Sequence, residues 1–127
     1  MARRPLPDPY DQRCPSRAIV DLIGDKWTLL ILPLLSEGPK RNGELMRRVG
    51  GISQKMLTQT LKALEQNGLL ERRDYGEVPP RVDYRLTSLG RSLARLISEI
   101  DNWVVDNFHE IERAREIWAG GRDRPAR

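Results

Sequence analysis

GISQKMLTQTLKALEQNGLLERRDYGEVPPRVDYRLT, residues 51–87, changes its period halfway along. Ser53 is a good N-cap, and Leu57, Leu61 and Leu64 recur at i, i+4 and i+7. That spacing puts the three leucines on one helical face, with Lys55, Gln59, Lys62 and Gln66 opposite. Asn67-Gly68 closes the helix. Two short strands follow, LLERRDY and RVDYRL, around a tip stiffened by Pro79-Pro80. In the second strand Val82, Tyr84 and Leu86 alternate with Arg81, Asp83 and Arg85, which predicts a half-buried strand with the first set inward.

The residues before this stretch read as three helices. CPSRAIVDLIG starts at Pro15 and Ser16, carries Ile19, Val20, Leu22 and Ile23 as its apolar face, and ends at Gly24. Asp25 caps KWTLLILPLLSEG, which is apolar on nearly all sides and predicts the most buried element. Pro33 predicts a kink near Leu29–Pro33 in one continuous helix, because the apolar pattern runs on to Leu35. NGELMRRVG is a short helix capped by Asn42, with Leu45, Met46 and Val49 inward and Gly50-Gly51 as its stop. After the hairpin, Thr87 caps a long helix whose apolar stripe is Leu89, Leu93, Leu96, Ile97, Ile100, Trp103 and Val104, reaching toward Ile111.

Helix, helix, helix, helix, hairpin, long helix predicts an α+β, mostly α fold. It is a winged helix-turn-helix with an additional N-terminal helix and a long C-terminal dimerisation helix. At 127 residues the chain suits one domain. We expect a mobile arm over 1–13, where three prolines precede any apolar periodicity, a domain over 14–118, and a frayed tail over 119–127.

Composition narrows the function. Net charge is +4 at pH 7, which favours a polyanionic partner without requiring one. The longest apolar run, Leu29 to Leu35, is seven residues, far short of the roughly 20 of a membrane helix. The N-terminus has arginines but no apolar stretch after them, so no secretory signal is read there and a cytoplasmic protein is expected. Cys14 is the single cysteine, which excludes an internal disulfide and a cysteine-built metal cluster. His109 stands alone, so no metal site is expected, and no cofactor either. No triad and no glycine-rich phosphate loop is present, so an enzyme is not expected.

Charge is divided along the chain. Lys40 to Lys62 holds six basic residues and one acidic, whereas Ile97 to Glu112 holds five acidic residues and no lysine or arginine. A nucleic-acid face kept apart from a protein-contact face explains that split. The second helix of a helix-turn-helix leads into the major groove with its N-terminal residues. Here those are Ser53, Gln54, Lys55, Thr58, Gln59 and Lys62. Glutamine suits adenine, lysine reaches guanine, and serine or threonine meets phosphate or base. Lys40 and Arg41 lead into the motif, and Arg72, Arg73 and Arg81 flank the wing tip, where phosphate contact is expected. The bland reading is that these polar side chains are only the solvated face of a helix. A winged helix used for protein contact alone is the alternative function, and it predicts a neutral or apolar fourth helix.

CPSRAIVDLIGDKWTLLIL, GPKR, GISQKMLTQTLKALEQNGLLER and VPPRVDYRLTSLG together resemble the HxlR-type transcriptional regulators, winged-helix proteins related to the MarR group. The resemblance covers roughly residues 14–104; Pro33 departs from its pattern. It implies a homodimer on operator DNA, usually a repressor and sometimes an activator, joined through its N- and C-terminal helices. It also implies sensing of electrophiles or oxidants through a cysteine like Cys14 in some members. A dimer is expected from the residues as well: a small winged-helix core cannot cover the whole stripe of the last helix. We take Ile19, Leu22, Leu93, Leu96, Ile97, Ile100, Trp103 and Val104 as that interface. Cys14 keeps two readings. It is a sensor whose thiolate Arg13, Arg17 and the helix start after Pro15 would stabilise, or a small buried apolar side chain. Trp27 reads as a core residue that could line an effector cavity, and Met46, Met56, Tyr75 and Tyr84 as packing residues.

Overall fold

A computed structural model describes residues 6–121. Five helices and one hairpin follow in order: α1 (Pro15–Ile23), α2 (Lys26–Ser36), α3 (Asn42–Arg48), α4 (Gln54–Gln66), β1 (Leu70–Asp74), β2 (Val82–Leu86) and α5 (Ser88–Gly121). The arrangement is a winged helix with an extra helix in front and a long one behind.

α2 forms the centre. Its N-cap Asp25 accepts hydrogen bonds from the Trp27 and Thr28 amides at 2.9 and 3.4 Å. Thr28, Ile31, Leu32 and Leu35 are buried, as a helix apolar on most sides requires. It runs through Pro33 without interruption. Leu45 of α3 and Val49 at its C-cap, Leu57, Leu61 and Leu64 of α4, Leu70 and Leu86 of the wing, and Ala94 and Ile97 of α5 close the core around it.

α3 departs from expectation at its start. Arg41, not Asn42, takes the N-cap position, and its amide donates to Glu44 Oε1 at 3.1 Å. Asn42 is drawn instead toward α4. Between α3 and α4 the chain turns at Gly51, whose φ of 83° favours glycine. Ser53 then caps α4, accepting from the Met56 amide at 3.1 Å.

β1 and β2 pair antiparallel, with Leu70 opposite Leu86 and Arg73 opposite Asp83. Lys40 adds an isolated bridge to Tyr84, exchanging backbone hydrogen bonds of 3.0 and 2.8 Å, so the chain entering α3 is fastened to the wing. The expected alternation of β2 needs correction. Asp83 lies on the face away from the core, yet it is 6% exposed. Neighbouring side chains of the wing itself cover it.

Thr87 caps α5 as expected, its Oγ1 accepting from the Gly90 amide at 3.0 Å and donating to Gly68 O at 2.6 Å. α5 has 34 residues and reaches Gly121, three residues into the segment read as a frayed tail; 122–127 lie outside the described residues. Its buried residues are Gly90, Ala94 and Ile97. At about 1.5 Å per residue, the remainder projects more than 30 Å with no core of its own. At the other end, within the segment expected as a mobile arm, Asp8 to Cys14 forms hydrogen-bonded turns, and 1–5 lie outside the described residues. Among the described residues no helix is long and apolar enough to cross a membrane.

Candidate nucleic-acid interface

α4 turns its leucines inward, so geometry leaves Ser53, Gln54, Lys55, Thr58, Gln59 and Lys62 all exposed. Three of the six already hold a hydrogen-bond partner within the protein. Ser53 Oγ is committed to the helix cap. Gln54 exchanges two hydrogen bonds with Asn42 and donates a third to Thr58 Oγ1 at 3.0 Å. Lys55, Gln59 and Lys62 have no side-chain partner among the described residues, and they stand at i, i+4 and i+7 along one exposed ridge.

The approach to α3 is also divided. Lys40 is largely covered, its side chain 13% exposed and Nζ 3.8 Å from Glu37. Arg48 holds the same carboxylate at 3.2 Å. The Arg48 hydrogen bond, with the charges of Arg48 and Lys40, outweighs desolvation and keeps Glu37 below the usual carboxylate range. Lys40 is therefore already paired within the protein and little exposed, unlike the other basic residues expected to face DNA. Arg41 is exposed and unpaired among the described residues.

The wing carries a cluster that sequence reading took for packing and alternation. Tyr75 Oη donates to Asp83 Oδ2 at 2.7 Å. Arg85 Nη2 donates to Tyr75 Oη at 3.1 Å and to Asp83 Oδ1 at 3.4 Å. Burial pushes Asp83 up, but the Tyr75 hydroxyl, Arg85 and the nearby Arg81 charge together hold it below the ordinary aspartate range. Arg73 and Arg81 lie over the Tyr75 ring, at 4.9 and 4.1 Å from its centroid. Arg72, on the opposite strand face beside Tyr84, is exposed. The signal that could have exposed the cluster is the period of two, which places Arg73, Tyr75, Arg81, Asp83 and Arg85 on one face.

A second region lies at the chain ends. Ile19 of α1 meets Leu93 and Leu96 of α5 around an apolar groove of about 450 Å³, also lined by Ile23, Leu69 and Leu89. Further along α5, Ile100 is 51%, Trp103 57% and Val104 42% exposed. Leu22 and Leu93 pack partly on the core. Ile97 is 1% exposed and belongs to the core, which removes it from the expected dimer interface. Of the expected interface residues, Ile19, Leu93 and Leu96 line this groove, and Ile100, Trp103 and Val104 lie farther along α5.

Cys14 is half-buried at the N-cap of α1. Its Sγ lies 3.1 Å from Ser16 Oγ and accepts from the Asp8 amide at 3.4 Å. The Ser16 hydroxyl first, then the Asp8 and Ser16 amides, lower the thiol below its ordinary range. The expected arginines do not contribute. Arg13 is bonded to Asp11, and Arg17 faces Asp21 and Pro9 O.

Residues 22–112 match the HxlR-like helix-turn-helix family. The chain is 40% identical over 107 residues to the HTH-type transcriptional regulator YtfH of Escherichia coli (strain K12), covering 84% of this chain and 85% of that one. Among solved structures, the transcriptional regulator ytfH from Salmonella typhimurium superposes with a TM-score of 0.81 at 38% identity, over 87% of this chain and 98% of its own. The redox regulator HypR in its reduced form gives 0.72 at 35% identity, over 78% of this chain and 98% of its own. With that match running from α1 into the far half of α5, the chain belongs to the HxlR-like helix-turn-helix family of transcriptional regulators.

Proposed function

We propose that the chain is a homodimeric repressor that binds a palindromic operator, with α4 in the major groove and the wing on the flanking backbone. One observation carries this: Lys55, Gln59 and Lys62 form an exposed ridge on the second helix of the motif, unpartnered among the described residues, on the same molecule as Arg72, Arg73 and Arg81 of the wing, which have no carboxylate within 4 Å among those residues. A winged helix built for protein contact alone has no use for a bare cationic ridge there. Gln59 suits adenine, Lys55 and Lys62 suit guanine or phosphate, and Arg41, Arg72, Arg73 and Arg81 suit phosphate. The exposed apolar residues of α1 and α5 supply the dimer contact. A twofold dimer sets the half-sites about 34–36 Å apart.

Control by oxidants or electrophiles at Cys14 belongs to the same proposal. Support comes from the lowered thiol, held by Ser16 and two backbone amides, and from the structural likeness to HypR, a redox regulator. The direct test is capture of sheared genomic DNA by the purified protein, followed by sequencing. Enrichment of one inverted repeat, weakened by diamide in wild type but not in Cys14→Ser, is the expected result. Uniform recovery of all fragments refutes an operator. Equal response of the two proteins refutes the sensor.

A further inference from the structure

Three arginines crowd the outer face of the wing, and only Arg85 has a carboxylate within 4 Å among the described residues. Arg73 and Arg81 are held differently. Both guanidinium groups rest on the Tyr75 ring, which attracts a cation through its quadrupole and leaves the charge intact. Arg81 is half-buried, and its Nε is closed off from solvent with no hydrogen-bond partner among the described residues. The ring is itself anchored, because its hydroxyl donates at 2.7 Å to the buried Asp83. The register makes this possible: Arg73 stands opposite Asp83, and the Tyr75 amide donates to Arg81 O at 3.0 Å.

A carboxylate beside each arginine would also order it, but would cancel the charge a phosphate needs. Of the cluster's arginines, Asp83 bonds directly to Arg85 alone; it acts on Arg81 only as a nearby charge, with no ion pair to Arg81 or Arg73. A free arginine on a hairpin tip samples many rotamers, and binding phosphate freezes them at a cost in affinity. An arginine already laid on a ring loses less.

We propose that Tyr75 is a positioning residue of the wing, which keeps Arg73 and Arg81 charged and pre-set for the phosphates of a duplex. This rests on the DNA-binding reading above. Tyr75 touches no DNA in this account; it acts only through the two arginines.

The test is a double-mutant cycle read by fluorescence anisotropy on a labelled duplex in dilute salt. Tyr75→Leu weakens wild type about tenfold. Tyr75→Phe, which keeps the ring, stays within about threefold of wild type. In an Arg73→Ala/Arg81→Ala background, Tyr75→Leu makes less than about a twofold further difference. A full-sized loss in that background means that Tyr75 merely holds the hairpin together, and overturns the proposal, as does a Tyr75→Leu protein that binds like wild type. A wild type that binds no duplex defeats the DNA reading itself, before any variant is compared. Should Tyr75→Leu not fold, NMR relaxation of the arginine Nε–Hε groups in DNA-free wild type decides. The account expects Arg81 to be rigid and the exposed Arg72 mobile; equal mobility contradicts it.

Discussion

Asn42 and Gln54 exchange two amide hydrogen bonds, 2.7 and 2.9 Å long, across the turn between α3 and α4. Both N–H bonds of the Gln54 amide are then in use, because Nε2 also donates to Thr58. A bidentate contact with adenine needs a donor and an acceptor from the same amide. Gln54 has no free donor to offer, whereas Gln59 has its whole amide.

Gln59→Ala therefore changes which base is preferred at one operator position, and Gln54→Ala does not. Gln54→Ala and Asn42→Ala each cost about 0.5–1 kcal/mol of stability, and the double variant costs no more than about one of them. Urea unfolding of the four proteins measures the coupling, and binding to a set of single-base operator variants measures the preference.

Gly90 makes a contact that no helical scale anticipates. A Cβ at that position would fall 1.8 Å from Leu69 O and 2.9 Å from Leu69 C. Those are backbone atoms, which cannot swing away. Helix propensity alone predicts that Gly90→Ala stabilises by about 1 kcal/mol. The packing predicts the opposite sign, a loss of about 3 kcal/mol and a fall in Tm of roughly 10 °C. A thermal melt gives the sign at once.

Gly90 also marks where sequence reading ended. Ser53, Leu57, Leu61 and Leu64 announce α4 and its bare face by local spacing alone, and Thr87 announces α5 by its cap. Gly90 sits at a crossing of α5 with the chain entering the wing, which is a tertiary fact. Ile97 shows a related limit. One apolar stripe serves first the monomer's core and then an exposed face, and a period of 3.6 does not say where one ends. Asp83 was placed on the correct face of its strand, but its burial comes from Tyr75 and arginines two residues away or across the register. Asn42 was a plausible cap until a partner twelve residues along the chain took its amide.

The surroundings of Cys14 set a pH dependence. Ser16 Oγ and two backbone amides lower the thiol, so the thiolate appears at a lower pH than for an ordinary cysteine and is lost as pH falls through that value. Alkylation by iodoacetamide, followed against pH, should show its midpoint below that of a cysteine in an unstructured peptide. Ser16→Ala removes the largest stabilising contact and moves the midpoint up. Neutralising Arg13 leaves it nearly unchanged, because that side chain is bonded to Asp11.

Ile100 tests the dimer. It is 51% exposed and lies one turn beyond the buried Ile97, so a charge there spares the core. Ile100→Glu gives a monomer by light scattering, with a Tm close to that of the unassociated wild type. Its affinity for a two-half-site operator falls to that of a single half-site. The same variant eluting as a dimer would remove α5 from the interface.

The central claim is that the α4 ridge and the wing bind a charged duplex, and salt measures this most directly. Each neutralised phosphate contributes about −0.9 to the slope of log K against log salt. Lys55, Lys62, Arg41, Arg72, Arg73 and Arg81 supply the contacts in each protomer. For the dimer the account predicts a slope approaching about −10 for wild type, made shallower by roughly 3 to 4 when Lys55 and Lys62 are both changed to alanine. A slope near zero, or one that the double change leaves untouched, would contradict it.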